Sequence, residues 1–154
     1  MRLNRNEMKA VLQRVLQASV STRGSSRARI GPGLLVLLGV ARGDEGKDAD
    51  RLAGKVARLR VFEDGAGRFD RSLLETAGAA LVVSQFTLLA DTTKGNRPSF
   101  SSAAPAEHAE PVYERFCAAL RELGVHVETG VFGARMEVEL LNDGPVTFVL
   151  DSLD

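Results

Sequence analysis

The pattern of apolar and polar positions divides the chain into many short strands and a few helices. Short apolar runs, or runs in which apolar and polar residues alternate, are typical of strands, and turn residues punctuate them here. A further pair of short strands, around residues 61–62 and 68–69, is predicted to form a hairpin about the turn Asp64-Gly65-Ala66-Gly67. The other predicted strands cover residues 9–15, 18–22, 27–30, 34–40, 79–83, 125–131, 136–140 and 146–150.

Two segments instead have apolar residues at three- and four-residue steps, the spacing of an amphipathic helix. The first follows Asp44, which we expect to cap it, and should end near Arg60. The second runs from about Pro105 to Leu123, and Gly124 suits its end. Residues 72–77 predict a short helical turn. The stripes that should face the core are Ala49, Leu52, Ala53, Val56 and Leu59, and then Ala109, Val112, Tyr113, Phe116, Ala119, Leu120 and Leu123.

The order of these elements predicts a mixed α/β, or α+β, fold. Several strands are followed by a helix, more strands, a second helix and closing strands, which favours a mostly antiparallel, curved or β-barrel-like sheet with two main helices outside it. A chain of 154 residues is most simply one domain. We expect that domain to cover residues 8–154, with residues 1–7 as a polar leader and Met8 as the natural start.

Polar residues follow the most central of the predicted strands. Residues 79–83 form an unbroken apolar run, typical of a strand buried on both faces. Ser84, Gln85, Phe86 and Thr87 come directly after it. A buried polar group without a partner costs about 1–3 kcal/mol. These side chains therefore either pair within the protein or wait for a ligand, and the segment alone does not decide which.

Two later segments also break the pattern. Residues 90–104 lose all periodicity, and a loop of that length in a compact domain tends to be functional. Asn142-Asp143-Gly144 is a turn signal, and Pro145 heads the strand after it. One interpretation is a hairpin turn. The other is a rigid Gly-Pro element in which a cis bond would point two carbonyl groups the same way, and the sequence does not distinguish cis from trans.

Composition excludes several classes of protein. One cysteine, Cys117, cannot form an internal disulfide, and we expect it to pack in the core. With His108 and His126 it is too small a set for a zinc site, so we expect no metal and no cofactor. There is neither a membrane-length apolar run nor a secretory signal, so we expect a cytoplasmic protein. Net charge is zero, which argues against general coating of nucleic acid.

The charge is unevenly placed along the chain. Residues 1–30 hold seven basic residues against one acid, Glu7, so a local basic face could meet a phosphate backbone. A solvated basic surface explains the same charge equally well. The seven are Arg2, Arg5, Lys9, Arg14, Arg23, Arg27 and Arg29.

Three motifs together resemble the D-aminoacyl-tRNA deacylases. They are Ser-Gln-Phe-Thr-Leu at 84–88, Asn-Arg-Pro-Ser-Phe at 96–100 and Asn-Asp-Gly-Pro-Val-Thr-Phe at 142–148. Gln13-Arg14-Val15, Ala18-Ser19-Val20 and the apolar run at 33–40 match the N-terminal half. Each motif alone is weak, but the set in this order is specific. The resemblance covers essentially residues 8–150, whereas residues 1–7 and the tail after Leu150 depart from the pattern.

The resemblance implies a homodimer that hydrolyses the ester joining a D-amino acid, or mischarged glycine, to the terminal adenosine of tRNA. It places the active site at the dimer interface and implies no cofactor. Val146 and Thr147 favour the branch of the family with a cis Gly-Pro bond. The implied catalytic segment is Ser84, Gln85, Phe86 and Thr87. The implied substrate-binding and filter residues are Gly144 and Pro145 of the other subunit, Arg14 as their brace, Asn142, Arg97, Pro98 and Phe100.

The implied selection works by rejection, because the Gly144 and Pro145 carbonyls would occupy the position of an L side chain. Thr87 or Ser84 would need a nearby base to act as a nucleophile, and neither histidine lies in a motif. We therefore favour an oxyanion hole made of backbone N–H groups around Phe86 and Thr87, with the ribose 2′-hydroxyl assisting a water.

Three rival functions stay open at this stage. A Ser/Thr-dependent esterase would act on small esters without RNA. A non-catalytic RNA-binding module would use the basic N-terminal face. A metal-dependent hydrolase would need an Asp/Glu ligand cluster, which the sequence does not offer.

Overall fold

The computed structural model describes residues 7–23 and 25–153. The predicted leader therefore lies, except for Glu7, outside the described residues. Met8 is fully buried, and its carbonyl oxygen accepts a hydrogen bond from the Ser152 N–H at 3.1 Å. The first strand begins at the next residue, Lys9.

The elements follow the predicted order. The strands are β1 (Lys9–Thr22), β2 (Ser25–Ile30), β3 (Gly33–Gly39), β4 (Phe62–Glu63), β5 (Phe69–Arg71), β6 (Ala79–Ser84), β7 (His126–Thr129) and β8 (Glu137–Asp151). The helices are α1 (Gly46–Arg58), the single turn α2 (Leu73–Thr76) and α3 (Ala106–Glu122), and a 3₁₀ turn covers Phe86–Leu89.

The main sheet is mixed but mostly antiparallel, as predicted. Its strands run in the order β2-β1-β3-β6-β7. Along one edge of the long strand β1, β3 pairs with its first half and β2 with its second, and β8 pairs along the opposite edge. β1 is antiparallel to β2, β3 and β8, whereas β3–β6 and β6–β7 are parallel pairs. The sheet curves into a nearly closed barrel, which confirms the α+β class. β4 and β5 form a separate two-stranded hairpin close to its predicted position.

Of the two interpretations of residues 142–145, the hairpin turn is wrong. β8 is one strand, and both of its halves pair with β1: Thr147 lies opposite Gln13 and Asn142 opposite Val15. The chain does not reverse here because β1 is long enough to pair with both flanks. Between these pairs β8 has more residues than β1, so residues 143–146, here called the arch, bulge out of the ladder.

The helices confirm the predicted stripes and correct one cap. The core-facing side chains of α1 and α3 are buried or nearly so, and Cys117 is buried among them, as expected. Asp44, however, does not cap α1. Glu45 occupies the N-cap, and its N–H donates to the Asp48 carboxylate at 2.8 Å. Asp44 is instead buried and accepts a 2.6 Å hydrogen bond from the Ala41 N–H, three residues before it. Its carboxylate is therefore directed away from the first turn of α1.

Candidate active site

The Ser84–Thr87 segment lies where the central strand β6 meets the 3₁₀ turn. β6 pairs with β3 on one side and β7 on the other, and Ala80 to Val83 are buried. The Gln85 N–H still donates to the Leu38 carbonyl at 2.7 Å, after which the chain leaves the sheet. The four predicted catalytic residues therefore lie at the C-terminal end of a central strand.

The 3₁₀ turn leaves two adjacent backbone donors available. The first hydrogen bond of this turn runs from the Leu88 N–H to the Gln85 carbonyl at 3.2 Å. The N–H groups of Phe86 and Thr87 precede it, and the first donors of a helical turn have no partner within the turn. Within the described residues neither donates a hydrogen bond. Two neighbouring donors of this kind can stabilise a developing oxyanion.

A cavity of about 340 Å³ opens beside these donors. Ser84 and Gln85 form its polar edge together with the backbone of Phe86, and the rest of its wall is apolar and aromatic. Such a cavity lies in the size range of small-ligand sites. The remaining walls come from β3, β6, α3, the start of β8 and neighbouring loop residues, with Leu38, Val40, Val83, Ala104, Ala106, Ala109, Tyr113, Phe132, Gly133, Ala134, Met136 and Val138.

Tyr113 is a structural part of this wall. Its hydroxyl donates to the Val82 carbonyl at 2.9 Å, and its ring lies 5.6 Å from that of Phe132. Burial raises the pKa of Tyr113 well above its usual range, so the phenol stays neutral. Sequence reasoning assigned Tyr113 to the core but missed its place at the cavity, because the cavity forms only when α3 packs on β6.

Neither hydroxyl of the segment has a histidine beside it. The Thr87 hydroxyl accepts a hydrogen bond from the Gln85 amide at 2.5 Å. His108 Nε2 lies 2.7 Å from the Asp44 carbonyl oxygen, and His126 Nε2 lies 2.7 Å from Glu128. Both histidines are therefore engaged at other places. Burial raises the pKa of the Cys117 thiol to about 11, so it is not a nucleophile either.

The aperiodic loop brings one of its predicted site residues to the cavity edge. The Phe100 ring meets the Phe86 ring edge-on, with centroids 5.1 Å apart. The loop is closed by paired backbone hydrogen bonds between Asp91 and Ser99, at 2.7 and 2.9 Å. Arg97 and Pro98 lie exposed on the same loop and do not line the cavity.

The arch is held by side chains on both flanks. The Gly144–Pro145 peptide bond is cis, and both residues are exposed. The Asn142 amide donates to the carbonyl oxygens of Arg14, at 2.9 Å, and Val146, at 3.2 Å. Arg14 Nε lies 3.2 Å from the Asp143 carbonyl oxygen and 3.1 Å from its carboxylate. Arg14 and Asn142 thus meet the predicted Gly-Pro element as a pair.

One chain does not bring the arch to the cavity. β1 and β3 separate β8 from β6, and pairing places Ser84 level with Leu38 and Ala10, four residues along β1 from Arg14. Counted along the sheet, the arch is therefore three strand spacings and about four residues away from Ser84. Neither Gly144 nor Pro145 lines the cavity.

The described basic residues near the N-terminus differ in burial. Arg14 is buried and turned toward the arch, whereas Arg23 and Arg29 are exposed. Arg2 and Arg5 lie outside the described residues. In the part of the chain that the structure describes, no group of three or more His, Cys, Asp or Glu side chains could share a metal ion. No described helix is long and apolar enough to cross a membrane.

Comparison with known proteins decides the family. Residues 11–151 match the family model described as D-Tyr-tRNA(Tyr) deacylase. The chain belongs to this family. It is 59% identical over 145 residues to the D-aminoacyl-tRNA deacylase of Anaeromyxobacter dehalogenans (strain 2CP-C), covering 94% of this chain and 97% of that protein. It is 57% identical to the protein of the same name from Thermus aquaticus, with 94% and 95% covered.

Two solved structures share this fold. A structure titled c-Myc DNA Unwinding Element Binding Protein matches with a TM-score of 0.88 at 43% identity, over 92% of this chain and 97% of that one. A probable eukaryotic D-amino acid tRNA deacylase has the same fold, with a TM-score of 0.81 at 19% identity and 94% and 98% covered. The family and the enzyme class predicted from the sequence, a hydrolase of ester bonds, are confirmed.

Proposed function

We propose that this enzyme hydrolyses the ester bond of D-aminoacyl-tRNA, and of mischarged glycyl-tRNA, to release the free amino acid and tRNA in the cytoplasm. Family membership supports the reaction. The observation that carries it is the pair of available N–H groups at Phe86 and Thr87, at the edge of an apolar cavity. An ester carbonyl placed against both donors would be polarised, and its tetrahedral oxyanion stabilised.

The cavity suits the terminal adenosine of tRNA. Its wall is mostly apolar and aromatic, as a flat base requires, and its polar edge faces the ribose and the ester. With the base inside, the aminoacyl ester would lie near Phe86, whose ring is 57% exposed and contacts only the edge of Phe100 among the described aromatic rings. This placement supports attack at the mouth of the cavity.

The attacking group is a water molecule. The Ser84 and Thr87 hydroxyls lack a histidine partner, and a hydroxyl nucleophile needs a base within hydrogen-bond reach. In the proposed step, the ribose 2′-hydroxyl assists the water, which attacks the carbonyl carbon. The two amides hold the oxyanion until the bond from the carbonyl carbon to the ribose oxygen breaks, and that oxygen leaves with the proton that the water has given up through the 2′-hydroxyl.

The arch of a second subunit supplies the chiral filter. Gly144 and Pro145 are exposed, so their carbonyl groups can enter the mouth of a neighbouring site. There they would occupy the space of an L side chain, while a D side chain or glycine would pass. Large apolar side chains near the arch are also exposed, which supports burial of this face in a homodimer. They are Leu16, Leu140, Leu141 and Val149.

The test compares release of the amino acid from D-Tyr-tRNA, L-Tyr-tRNA and Gly-tRNA by the purified protein. We expect the D and glycyl esters to be hydrolysed, the L ester to be spared, and light scattering to give the mass of a dimer. Equal release of D and L esters would remove the filter. Binding of tRNA that weakens with salt, without release of any amino acid, would favour the RNA-binding module, and rapid hydrolysis of p-nitrophenyl acetate would favour a small-ester hydrolase.

A further inference from the structure

We propose that the β4–β5 hairpin positions the chiral filter, and that Glu63 and Phe69 do so by fixing the Arg14 guanidinium. This inference rests on the proposed function, because it assigns to the hairpin a role in the D/L selectivity of that same site. The observation behind it is that Arg14 joins the hairpin to the arch.

Arg14 divides its contacts between two distant parts of the chain. Its Nε faces Asp143, the first residue of the arch. Its other nitrogens face the hairpin side: one donates to the Val61 carbonyl at 2.9 Å, and another lies 3.6 Å from the Glu63 carboxylate. The guanidinium is buried, so its direction is set by these partners rather than by water.

Phe69 fixes the same guanidinium from its face. The Arg14 guanidinium carbon lies 5.9 Å from the centre of the Phe69 ring, within the range of a cation–π contact. The Phe69 ring also meets the ring of Phe148, two residues beyond the arch, edge-on with centroids 6.4 Å apart. The hairpin therefore reaches both ends of the arch. It reaches the first end through Arg14, which contacts Asp143, and the second through Phe148.

The hairpin is suited to this task because its own shape is fixed. Its turn is closed by hydrogen bonds between Asp64 and Arg68, and the Asp64 carboxylate also accepts from the Ala66 N–H at 2.8 Å. These hydrogen bonds hold the pKa of Asp64 below its usual range, so the carboxylate that accepts them stays ionised at neutral pH. A two-stranded hairpin is marginal alone, so its contacts with Arg14 and Phe148 also hold it in place.

Neither Glu63 nor Phe69 touches the cavity, so both are positioning residues. Displacement of a site element by about 1 Å can cost about a hundredfold in rate or selectivity. A loosened arch would still be present in the dimer, but its carbonyls would no longer occupy a fixed position. The loss should therefore appear in the D/L ratio before it appears in the fold.

The experiment compares the ratio of D-Tyr-tRNA to L-Tyr-tRNA hydrolysis in the full-length protein and in the double variant Glu63→Gln/Phe69→Leu. We expect the ratio to fall at least about tenfold, with the dimer and its thermal midpoint close to wild type. The conservative variant Glu63→Asp/Phe69→Tyr keeps a carboxylate and an aromatic ring at these positions and should recover most of the ratio. Asp70→Asn is the matched control, since Asp70 lies in the same hairpin but pairs with Arg60, not with Arg14.

An unchanged ratio in a folded double variant would overturn the proposal, and so would an equal loss in Asp70→Asn. Hydrogen exchange of the peptide that spans the arch gives a second readout, which should speed up in the double variant alone. If the wild-type protein hydrolyses no aminoacyl-tRNA, the proposed function fails, and the exchange measurement still decides whether the hairpin fixes the arch. Unchanged exchange there would end the inference independently of activity.

Discussion

Arg14 and Asn142 bind each other's segments across the interruption in the β1–β8 ladder. The Asn142 amide nitrogen lies 2.9 Å from the Arg14 carbonyl oxygen, while the Arg14 side chain reaches over to Asp143. The arch thus replaces its missing ladder hydrogen bonds with side-chain ones. Each residue thus holds the segment of the other, and loss of either side chain should loosen the arch.

Asn142→Asp tests this directly. The aspartate keeps the shape of the side chain but turns a donor into an acceptor that faces the carbonyl oxygens of Arg14 and Val146. We expect the free energy of unfolding to fall by about 1–3 kcal/mol and the ratio of D-Tyr-tRNA to L-Tyr-tRNA hydrolysis to fall at least about tenfold. Urea titration and deacylation rates measure both. Asn96→Asp, on the exposed loop, makes the same charge change, and an equal effect there would show that charge alone is responsible.

Gly144→Ala should displace the Asn142 side chain and so disturb its contact with Arg14. A Cβ at Gly144 would lie 2.5 Å from Asn142 Oδ1 and 3.4 Å from its Cγ. Asn142 cannot swing away without losing its two hydrogen bonds, so we expect a loss of about 1–2 kcal/mol in unfolding free energy together with a lower D/L ratio. Gly31→Ala is the control, because a Cβ there meets nothing within 4 Å. Wild-type selectivity in Gly144→Ala would contradict this account of the arch.

Sequence patterns predicted the parts of the fold that depend on burial. The apolar run at 79–83 and the α3 stripe report a buried environment directly, and both are confirmed. The turn at Asn142-Asp143-Gly144 failed as a hairpin because turn rules are local, whereas the length of β1 decides what pairs with each flank. Asp44 failed as a cap for a different reason, because its carboxylate accepts from the Ala41 N–H three residues before it rather than from the first turn of α1.

The site was predictable only in part. The segments around Ser84 and Gly144 stood out because they break the pattern of a strand. The cavity wall did not, because Phe132 and Met136 come together with β3 and α3 only through tertiary packing. The role of Phe69 was equally hidden, since an aromatic residue in a short hairpin gives no signal of an arginine that packs on its face.

Removal of either hydroxyl of the catalytic segment should leave turnover largely intact. Ser84→Ala and Thr87→Ala each keep the backbone N–H groups that we assign to the oxyanion, so we expect rates within about tenfold of wild type. Thr87→Ala also removes the hydrogen bond from the Gln85 amide, which would account for a small loss of rate in that variant. Single-turnover rates on D-Tyr-tRNA are the measurement. A fall of about a thousandfold in either variant would identify a side-chain nucleophile instead.

Asp44 should give the stability of the protein a characteristic pH dependence. Burial raises the pKa of Asp44 from 3.8 to about 6, and the carboxylates of Glu7 and Asp48 add to the rise, against the hydrogen bond from Ala41. Because the folded pKa lies above the unfolded one, the folded state is penalised above pH 6, by about 2–3 kcal/mol. The penalty is relieved as the pH falls through 6 toward 3.8.

The comparison of Asp44→Asn with wild type isolates this effect. Asparagine can still accept the Ala41 N–H but carries no charge, so other titrating groups cancel in the difference. Between pH 7.5 and pH 5 we expect the wild type to gain about 1 kcal/mol of unfolding free energy relative to the variant. Urea unfolding at one protein concentration and several pH values measures this. A difference that stays constant across that range would mean that Asp44 keeps an ordinary pKa despite its burial.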